Sequence, residues 1–89
     1  MDCEWDGDKW QRNLTKHGID FTAIAGFEWG SAIMRLDLRG QYGELRFRAY
    51  GLINGRLHIL IFTARGPRAR LISLRKASLK EKASYETTP

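Results

Sequence analysis

The chain has 89 residues, enough for one small domain with a modest core and too few for two. Hydrophobic residues make up 43% of it and charged residues 28%, which indicates a globular protein and excludes a disordered one. Its longest apolar run is far below the roughly 20 residues that cross a bilayer, so no membrane segment is predicted. The acidic N-terminus predicts no signal peptide, and the single cysteine, Cys3, excludes an internal disulfide, so a reducing, cytoplasmic location is expected.

Charge is unevenly placed along the chain, whose net charge is +5. Residues 1–44 contain five Lys/Arg against eight Asp/Glu, a balance of −3, while residues 45–89 contain ten against two, a balance of +8. The basic half is therefore a candidate surface for a polyanion. The alternative is that this charge serves only solubility.

The N-terminal third predicts a short strand followed by two helices. Residues 2–6 alternate acidic and apolar side chains, a pattern typical of an edge strand whose acids face solvent. Residues 8–17 place apolar side chains at helical spacing, and Gly18 suits the left-handed end of that helix. Residues 20–27 predict a second short helix with Asp20 as its N-cap.

The middle of the chain predicts strands. Residues 32–38 and 45–53 have the composition and alternation of strands, and residues 39–44 between them, with two glycines, predict a loop. Asn54-Gly55 predicts a tight hairpin turn, because both residues tolerate positive φ. The following run, 57–62, is apolar at both parities and is therefore expected in the middle of a sheet.

A second hairpin and a last helix complete the predicted fold. Residues 64–67 (Ala-Arg-Gly-Pro) form its turn, residues 70–75 its second strand, and residues 76–86 the helix. The prediction is a single α+β domain spanning residues 1–89. Two N-terminal helices pack on a four-stranded antiparallel meander sheet, and a C-terminal helix follows.

Several arginines lie near the ends of this second hairpin. Arg65 is at its turn, and Arg70 and Arg75 flank its last strand. Because the forked donors of a guanidinium group match a phosphate, several of them fixed on a sheet can hold a polyanion. The alternative is that they are solvated charges or partners of the acidic N-terminal residues.

Other basic and aromatic residues are weaker candidates for contact with a nucleic acid. One face of helix 8–17 carries three cations, which form either a solvated face or a track for a phosphate backbone: Lys9, Arg12 and Lys16. Arg46 and Arg48 share a strand face with a tyrosine, a combination typical of nucleic-acid contact. Tyr85 either contacts a ligand by stacking or holds the last helix on the sheet, and Lys76 precedes that helix.

The two histidines have different predicted roles. The ordinary pKa of His17, about 6.5, suits proton transfer, although a histidine in the last turn of a helix also complements the helix dipole. His58 lies in an apolar strand and is predicted to be structural. One cysteine and two distant histidines give no metal-ligand spacing, and neither a metal nor another cofactor is predicted.

The chain contains two separated motifs. The first is Glu4-Trp5-Asp6, Lys9, Asn13 and Lys16-His17-Gly18-Ile19-Asp20-Phe21. The second is Gly55-Arg56, Thr63, Arg65-Gly66, Arg70, Ile72-Ser73, Arg75-Lys76-Ala77 and Tyr85-Glu86. In this order and at this spacing they resemble the motifs of the BrnT family of bacterial type II toxins, a resemblance that extends from Cys3 to about Glu86.

The resemblance implies a RelE-like ribonuclease fold and metal-independent cleavage of mRNA that inhibits growth. It also implies neutralisation by BrnA, a ribbon-helix-helix antitoxin, and contact with operator DNA only through the toxin–antitoxin complex. Toxins of this kind rely on Arg and Lys, so the catalytic candidates are Arg65, Arg70, Arg75 and His17. The candidates for substrate binding are Lys16, Arg46, Arg48, Lys76 and Tyr85.

Two other functions fit the same charge pattern. One is a module that binds nucleic acid without cutting it. The other is a protein-interaction domain whose basic half docks on an acidic partner.

Overall fold

A computed structural model of the chain describes residues 1–38, 40 and 43–87. Part of the predicted loop 39–44, namely Arg39, Gln41 and Tyr42, lies outside the described residues. In the described chain no helix combines the length and apolar character needed to cross a bilayer. The elements, in chain order, are β1 (Asp2–Glu4), α1 (Gly7–His17), 3-10 helices at Phe21–Gly26 and Trp29–Ser31, β2 (Ile33–Leu36), β3 (Phe47–Ile53), β4 (Arg56–Arg65), β5 (Arg68–Lys76) and α2 (Leu79–Glu86).

The strands of the described chain form one mixed sheet in the order β1-β5-β4-β3-β2. The meander β2-β3-β4-β5 is antiparallel as predicted, but β1 adds a fifth strand that runs parallel to β5. The prediction of a four-stranded, wholly antiparallel sheet was therefore wrong. The error arises because β1 pairs with β5, a strand more than 60 residues away in the chain, and no local pattern specifies such a partner.

Both predicted hairpins are confirmed, because their turn residues adopt the conformations that the sequence favours. Asn54 and Gly55 have φ values of 50° and 76°, and Gly66 has a φ of 57°. A positive φ at both central residues is the geometry of the tight turn whose twist matches the flanking strands. The strands joined by these turns, β3, β4 and β5, form the centre of the sheet.

The predicted first helix is confirmed as α1, and its side chains close the edge of the sheet. The Asp6 carboxylate accepts a hydrogen bond from the Lys9 amide at 2.8 Å, and Gly18 ends the helix with a φ of 69°. Asn13, only 4% exposed, donates to the Leu74 carbonyl oxygen at 2.8 Å and accepts from the Leu74 amide at 2.9 Å. The Asn13 side chain therefore satisfies the backbone groups of β5 at Leu74, where the short β1 no longer pairs with this strand.

The predicted second α-helix at 20–27 was wrong in type, because the segment forms a 3-10 helix at Phe21–Gly26. Asp20 caps it as expected, accepting from the Thr22 amide at 2.9 Å. The helix ends where Phe27 enters the core and forms a bridge with β3 at Ile53. The Phe27 ring lies directly over Gly51, and the tighter 3-10 turn brings the ring there within a few residues.

The core lies between the sheet and the N-terminal helical segments. Its fully buried side chains include Phe21, Leu60, Leu71 and Leu74. β5 contributes both Leu71 and Leu74 because the β4–β5 register shifts at Ile61/Phe62, which places Ser73 opposite Ile61 and Leu71 opposite Phe62. This bulge sends Arg70, Ser73 and Arg75 to the opposite side of the sheet.

Candidate functional site

The side of the sheet opposite the core, here called the outer face, is rich in arginine. Residues paired across adjacent strands point to the same side, so the strand register defines its rows. One row, from β2 to β5, is Arg35, Arg48, Ile61 and Ser73. The adjacent row is Ile33, Tyr50, Ile59 and Arg75.

Arg48 lies at the centre of the outer face. Its guanidinium carbon is 5.8 Å from the centre of the Tyr50 ring, within the range of a cation–π contact. Its Nε is buried and has no hydrogen-bond partner among the described residues. A buried donor without a partner carries a desolvation cost.

Arg75 is held by α2. Its Nη1 and Nη2 donate to the two carboxylate oxygens of Glu81 at 2.7 and 2.8 Å, a fork-to-fork arrangement. Oε1 of Glu81 also accepts from the Ser78 amide at 2.9 Å, as part of the capping box of α2. Hydrogen bonds from Arg75 lower the pKa of Glu81 to about 2, so the carboxylate is ionised at neutral pH. Arg75 is thus fixed in orientation on the outer face.

The predicted C-terminal helix is confirmed as α2, although it begins at Leu79 because β5 continues to Lys76. The structure describes all of α2, and none of its residues is buried. The Tyr85 hydroxyl donates to the Ser31 carbonyl oxygen at 3.1 Å, a contact that favours the structural interpretation of this tyrosine. α2 is therefore attached to the outer face mainly by polar contacts.

His17 lies at the edge of the same region. It lines a cleft together with Lys16 and Ser73, and Ser73 belongs to the Arg48 row. Partial burial lowers the pKa of His17 from its usual 6.5, and the charges of Lys16 and Arg75 lower it further. The imidazole is therefore mainly neutral at pH 7 and able to accept a proton.

The three candidate arginines share the outer face but do not converge. Positions along β4 measure their separation. Ile59 on β4 pairs with Arg75, and Arg65 lies six residues further along the same strand. Arg70 pairs with Thr63, which lies four residues from Ile59. These separations correspond to about 20 and about 13 Å at the usual rise of a strand. Arg70 is also paired, at 2.9 Å with Glu4 and 3.7 Å with Asp6. Of the three, the structure brings Arg75 towards His17 and leaves Arg65 at the distant hairpin turn.

The structure also places the weaker candidates. Arg46 precedes β3 two residues before Arg48, and its carbonyl oxygen accepts from the Asp37 amide at 2.8 Å. Lys16 is exposed beside His17. Lys76 is exposed and pairs with His58, on the side of the sheet away from Arg75. His58 is buried, with Nδ1 at 2.8 Å from the Arg56 carbonyl oxygen, which agrees with its predicted structural role.

Three residues of this region were not predicted from the sequence. Arg35 has the same parity as Ile33 in β2, a pattern that could have assigned it to one face. Glu81 occupies the acidic position of a Ser-x-x-Glu capping box, which the sequence Ser78-Leu-Lys-Glu contains. Ser73 joins the Arg48 row only because of the bulge in β5, which the sequence does not predict.

In the part of the chain that the structure describes, no three His, Cys, Asp or Glu side chains are grouped so as to hold a metal ion. The outer face and its edge present arginines, the His17 imidazole and hydroxyls, together with the Glu81 carboxylate that pairs with Arg75. Such a set can bind a phosphate, stabilise the charge that develops on it and accept a proton.

Comparisons with known proteins agree on one family. A family model described as the ribonuclease toxin BrnT of type II toxin–antitoxin systems matches residues 5–81. A crystal structure of the Brucella abortus ribonuclease toxin BrnT is similar in fold and sequence, with a TM-score of 0.68 and 33% identity. That match covers 88% of this chain and 97% of the Brucella chain. No curated protein matches the chain.

Proposed function

Because the chain belongs to the BrnT family, the ribonuclease toxins of type II toxin–antitoxin systems, we propose that it cuts messenger RNA on the outer face without a metal ion. The observation that supports this most is that a neutral His17 and Ser73 line one cleft, that Arg75 follows Ser73 by two residues on the same face and acts on the pKa of His17, and that Arg48 lies two strands away in the row of Ser73. Two cations and a base on one surface are what cleavage of a phosphodiester by its own 2′-hydroxyl requires.

The proposed reaction begins with RNA lying across the outer face. The His17 imidazole takes the proton of a ribose 2′-hydroxyl, and the resulting oxygen attacks the adjacent phosphorus. Arg75 and Arg48 stabilise the negative charge that develops on the phosphoryl oxygens and on the leaving 5′-oxygen. The bond from phosphorus to the 5′-oxygen breaks, the leaving 5′-oxygen takes a proton from solvent, and the His17 imidazolium returns its proton to solvent. The products are a 2′,3′-cyclic phosphate and a 5′-hydroxyl, because the attacking group belongs to the RNA and water is not the nucleophile.

The partner in this proposal is a ribbon-helix-helix antitoxin of the BrnA type. Membership of a type II system implies a protein antitoxin. The balance of +8 in residues 45–89 favours an antitoxin segment with acidic side chains. The proposal includes a RelE-like fold, action in the cytoplasm, and contact with operator DNA through the complex and not through the toxin alone.

The test is cleavage of end-labelled RNA by the purified chain in EDTA, with the product ends identified. We expect cyclic phosphate ends, and no cleavage where the attacking nucleotide is replaced by its 2′-deoxy form. Arg75→Ala should lower the rate by about 10²- to 10³-fold, the usual cost of a charge-stabilising group. Arg56→Ala removes an exposed arginine at the β3–β4 turn and should leave the rate unchanged. Intact RNA with a folded wild-type chain would overturn the enzymatic proposal.

A second candidate function is a module that binds nucleic acid without cutting it. It is favoured by the ion pairs that hold two of the candidate arginines, Arg70 with Glu4 and Arg75 with Glu81. Salt-sensitive retention of RNA without product ends, in both wild-type protein and Arg75→Ala, would support this function over the first.

A further inference from the structure

A second basic surface lies beside the outer face, and its three cations have no part in the reaction proposed above. α1 and β5 enclose an open cleft of about 220 Å³, and one wall carries Lys9, Arg12 and Lys16. From the sequence, this helix face is either a solvated face or a phosphate track. The contacts of these three side chains distinguish between them.

These cations form no direct ion pair with a described carboxylate, and the acid near them is Asp6, whose pKa is lowered by the hydrogen bond from the Lys9 amide and by the charges of Lys9, Arg70 and Arg12. Within residues 1–38, 40 and 43–87, no carboxylate lies within 4 Å of the charged groups of Lys9, Arg12 or Lys16. The nearby Asp6 carboxylate accepts from the Lys9 amide and lies 3.7 Å from Arg70. Three like charges that face one cleft without a direct ion pair repel one another, so a bound anion would stabilise the cleft.

The cleft is continuous with the outer face. Ser73 lines it, and in the strand register Ser73 stands beside Ile61 in the row that contains Arg48. His17 lines it as well, and Arg75 lies close enough to lower the pKa of His17. A chain of phosphates leaving the outer face at Ser73 would therefore enter the cleft directly.

The shape of the cleft fits an extended ligand. Lys9 and Lys16 are seven residues apart on α1, which corresponds to about 10 Å along the helix axis, longer than one phosphate group. The bulge at Ile61/Phe62 and the side chain of Asn13, bonded to Leu74, fix the opposite wall. The cations thus stand in a row against a rigid wall, as expected for a groove that follows a single-stranded backbone.

We propose that this cleft binds backbone phosphates of single-stranded RNA next to the nucleotide cleaved on the outer face. The identity of the ligand as RNA rests on the proposed function, whereas the existence of an anion site does not. An acidic segment of a protein partner is the competing ligand, and the test below separates the two.

The test compares two double variants that remove the same charge. Lys9→Gln/Arg12→Gln removes two cations of the cleft, and Arg56→Gln/Lys80→Gln removes two exposed cations that do not line it. Both double variants are made in a protein that also carries Arg75→Ala. Binding of a fluorescent single-stranded RNA of about 12 nucleotides is then measured by anisotropy over a range of salt concentrations. Because no cleavage is needed, the result is independent of whether the chain is a nuclease.

The cleft variant should reduce the slope of log K against log salt by about 1.4, close to 0.7 for each lost phosphate contact, and the control should leave it unchanged. The charge-preserving variant Lys9→Arg/Arg12→Lys should restore the slope. With Arg75 intact, the cleft variant should lower kcat/KM more for the long RNA than for a dinucleotide. An unchanged slope, an equal loss in both double variants, or weakened binding of the antitoxin alone would overturn the proposal.

Discussion

Replacing Glu81 by glutamine should loosen α2 while the sheet stays folded. The substitution removes the charge that holds Arg75 but keeps an oxygen able to accept from the Ser78 amide, so the capping box remains. Since no residue of α2 is buried, the Arg75–Glu81 pair is a large part of what attaches this helix. The expected change is therefore local opening.

The free energy that α2 should lose in Glu81→Gln follows from the pKa of Glu81. Its fall from 4.5 to about 2 would correspond to ~3 kcal/mol if the whole difference stabilised α2. Arg75 and Glu81 are 31% and 23% exposed, so water screens part of this energy. We expect a loss of about 1–2 kcal/mol, which makes the open form of the helix about 5- to 30-fold more populated.

The assay is amide hydrogen exchange followed by NMR. Exchange of α2 amides should be faster in Glu81→Gln than in wild-type protein, while β4 amides keep their protection. Because the folded-state pKa of Glu81 is lowered, the pair stabilises the protein fully above pH 4.5 and is lost as the pH falls through about 2. The difference between wild-type and variant should therefore shrink across this range.

A control variant separates the ion pair from the helix cap. Ser78→Ala removes the capping hydroxyl, which accepts from the Glu81 amide at 3.1 Å, and should cost about 1 kcal/mol. It leaves the Arg75–Glu81 pair in place, so the pH dependence should persist. Equal protection of α2 in wild-type and Glu81→Gln at neutral pH would refute the assignment of this pair as the attachment of α2.

Two further predictions concern the core and the proposed base. Gly51→Ala should lower stability by about 1–3 kcal/mol in thermal unfolding, because a Cβ at this position would stand 2.3 Å from the ring of Phe27. Gly30→Ala is the matched control, because a Cβ at that position would have no atom within 4 Å. The cleavage rate should rise with pH to a plateau with a midpoint below 6.5, the direction in which the pKa of His17 is moved, and His17→Gln should remove this limb. A wild-type profile that is flat across this range would exclude His17 as the base.

Local features of the fold could be predicted from the sequence because neighbouring residues determine them. Asn54-Gly55 favours positive φ wherever it occurs, and Asp6 and Gly18 define the ends of α1 through contacts within a few residues. The parallel pairing of β1 with β5 has a different origin. It depends on α1 leaving the edge of β5 open at Arg68–Arg70, a tertiary arrangement that no local pattern records.

The candidate site could be predicted only by residue type. Arg75 and His17 were chosen for their chemistry, and the structure places them in one region. Arg65 was chosen on the same grounds but stands about 20 Å along β4, because a ten-residue strand separates its ends by more than a site can span. Residue type indicates what a side chain can do, whereas strand length and register determine which other side chains it can act with.

The arginines of the outer face are also part of what keeps it folded. Ile59 and Ile61 point to this face, yet they are 1% and 8% exposed, and the register neighbour of Ile61 on β3 is Arg48. The side chain of Arg48 is half-buried, with its Nε buried, so its stem contributes to covering Ile61. The sheet therefore buries its centre under side chains whose charged ends form the proposed RNA surface. Shortening Arg48 would expose the sheet as well as remove a charge, so Arg48→Met, which keeps much of the stem, is the substitution that isolates the charge.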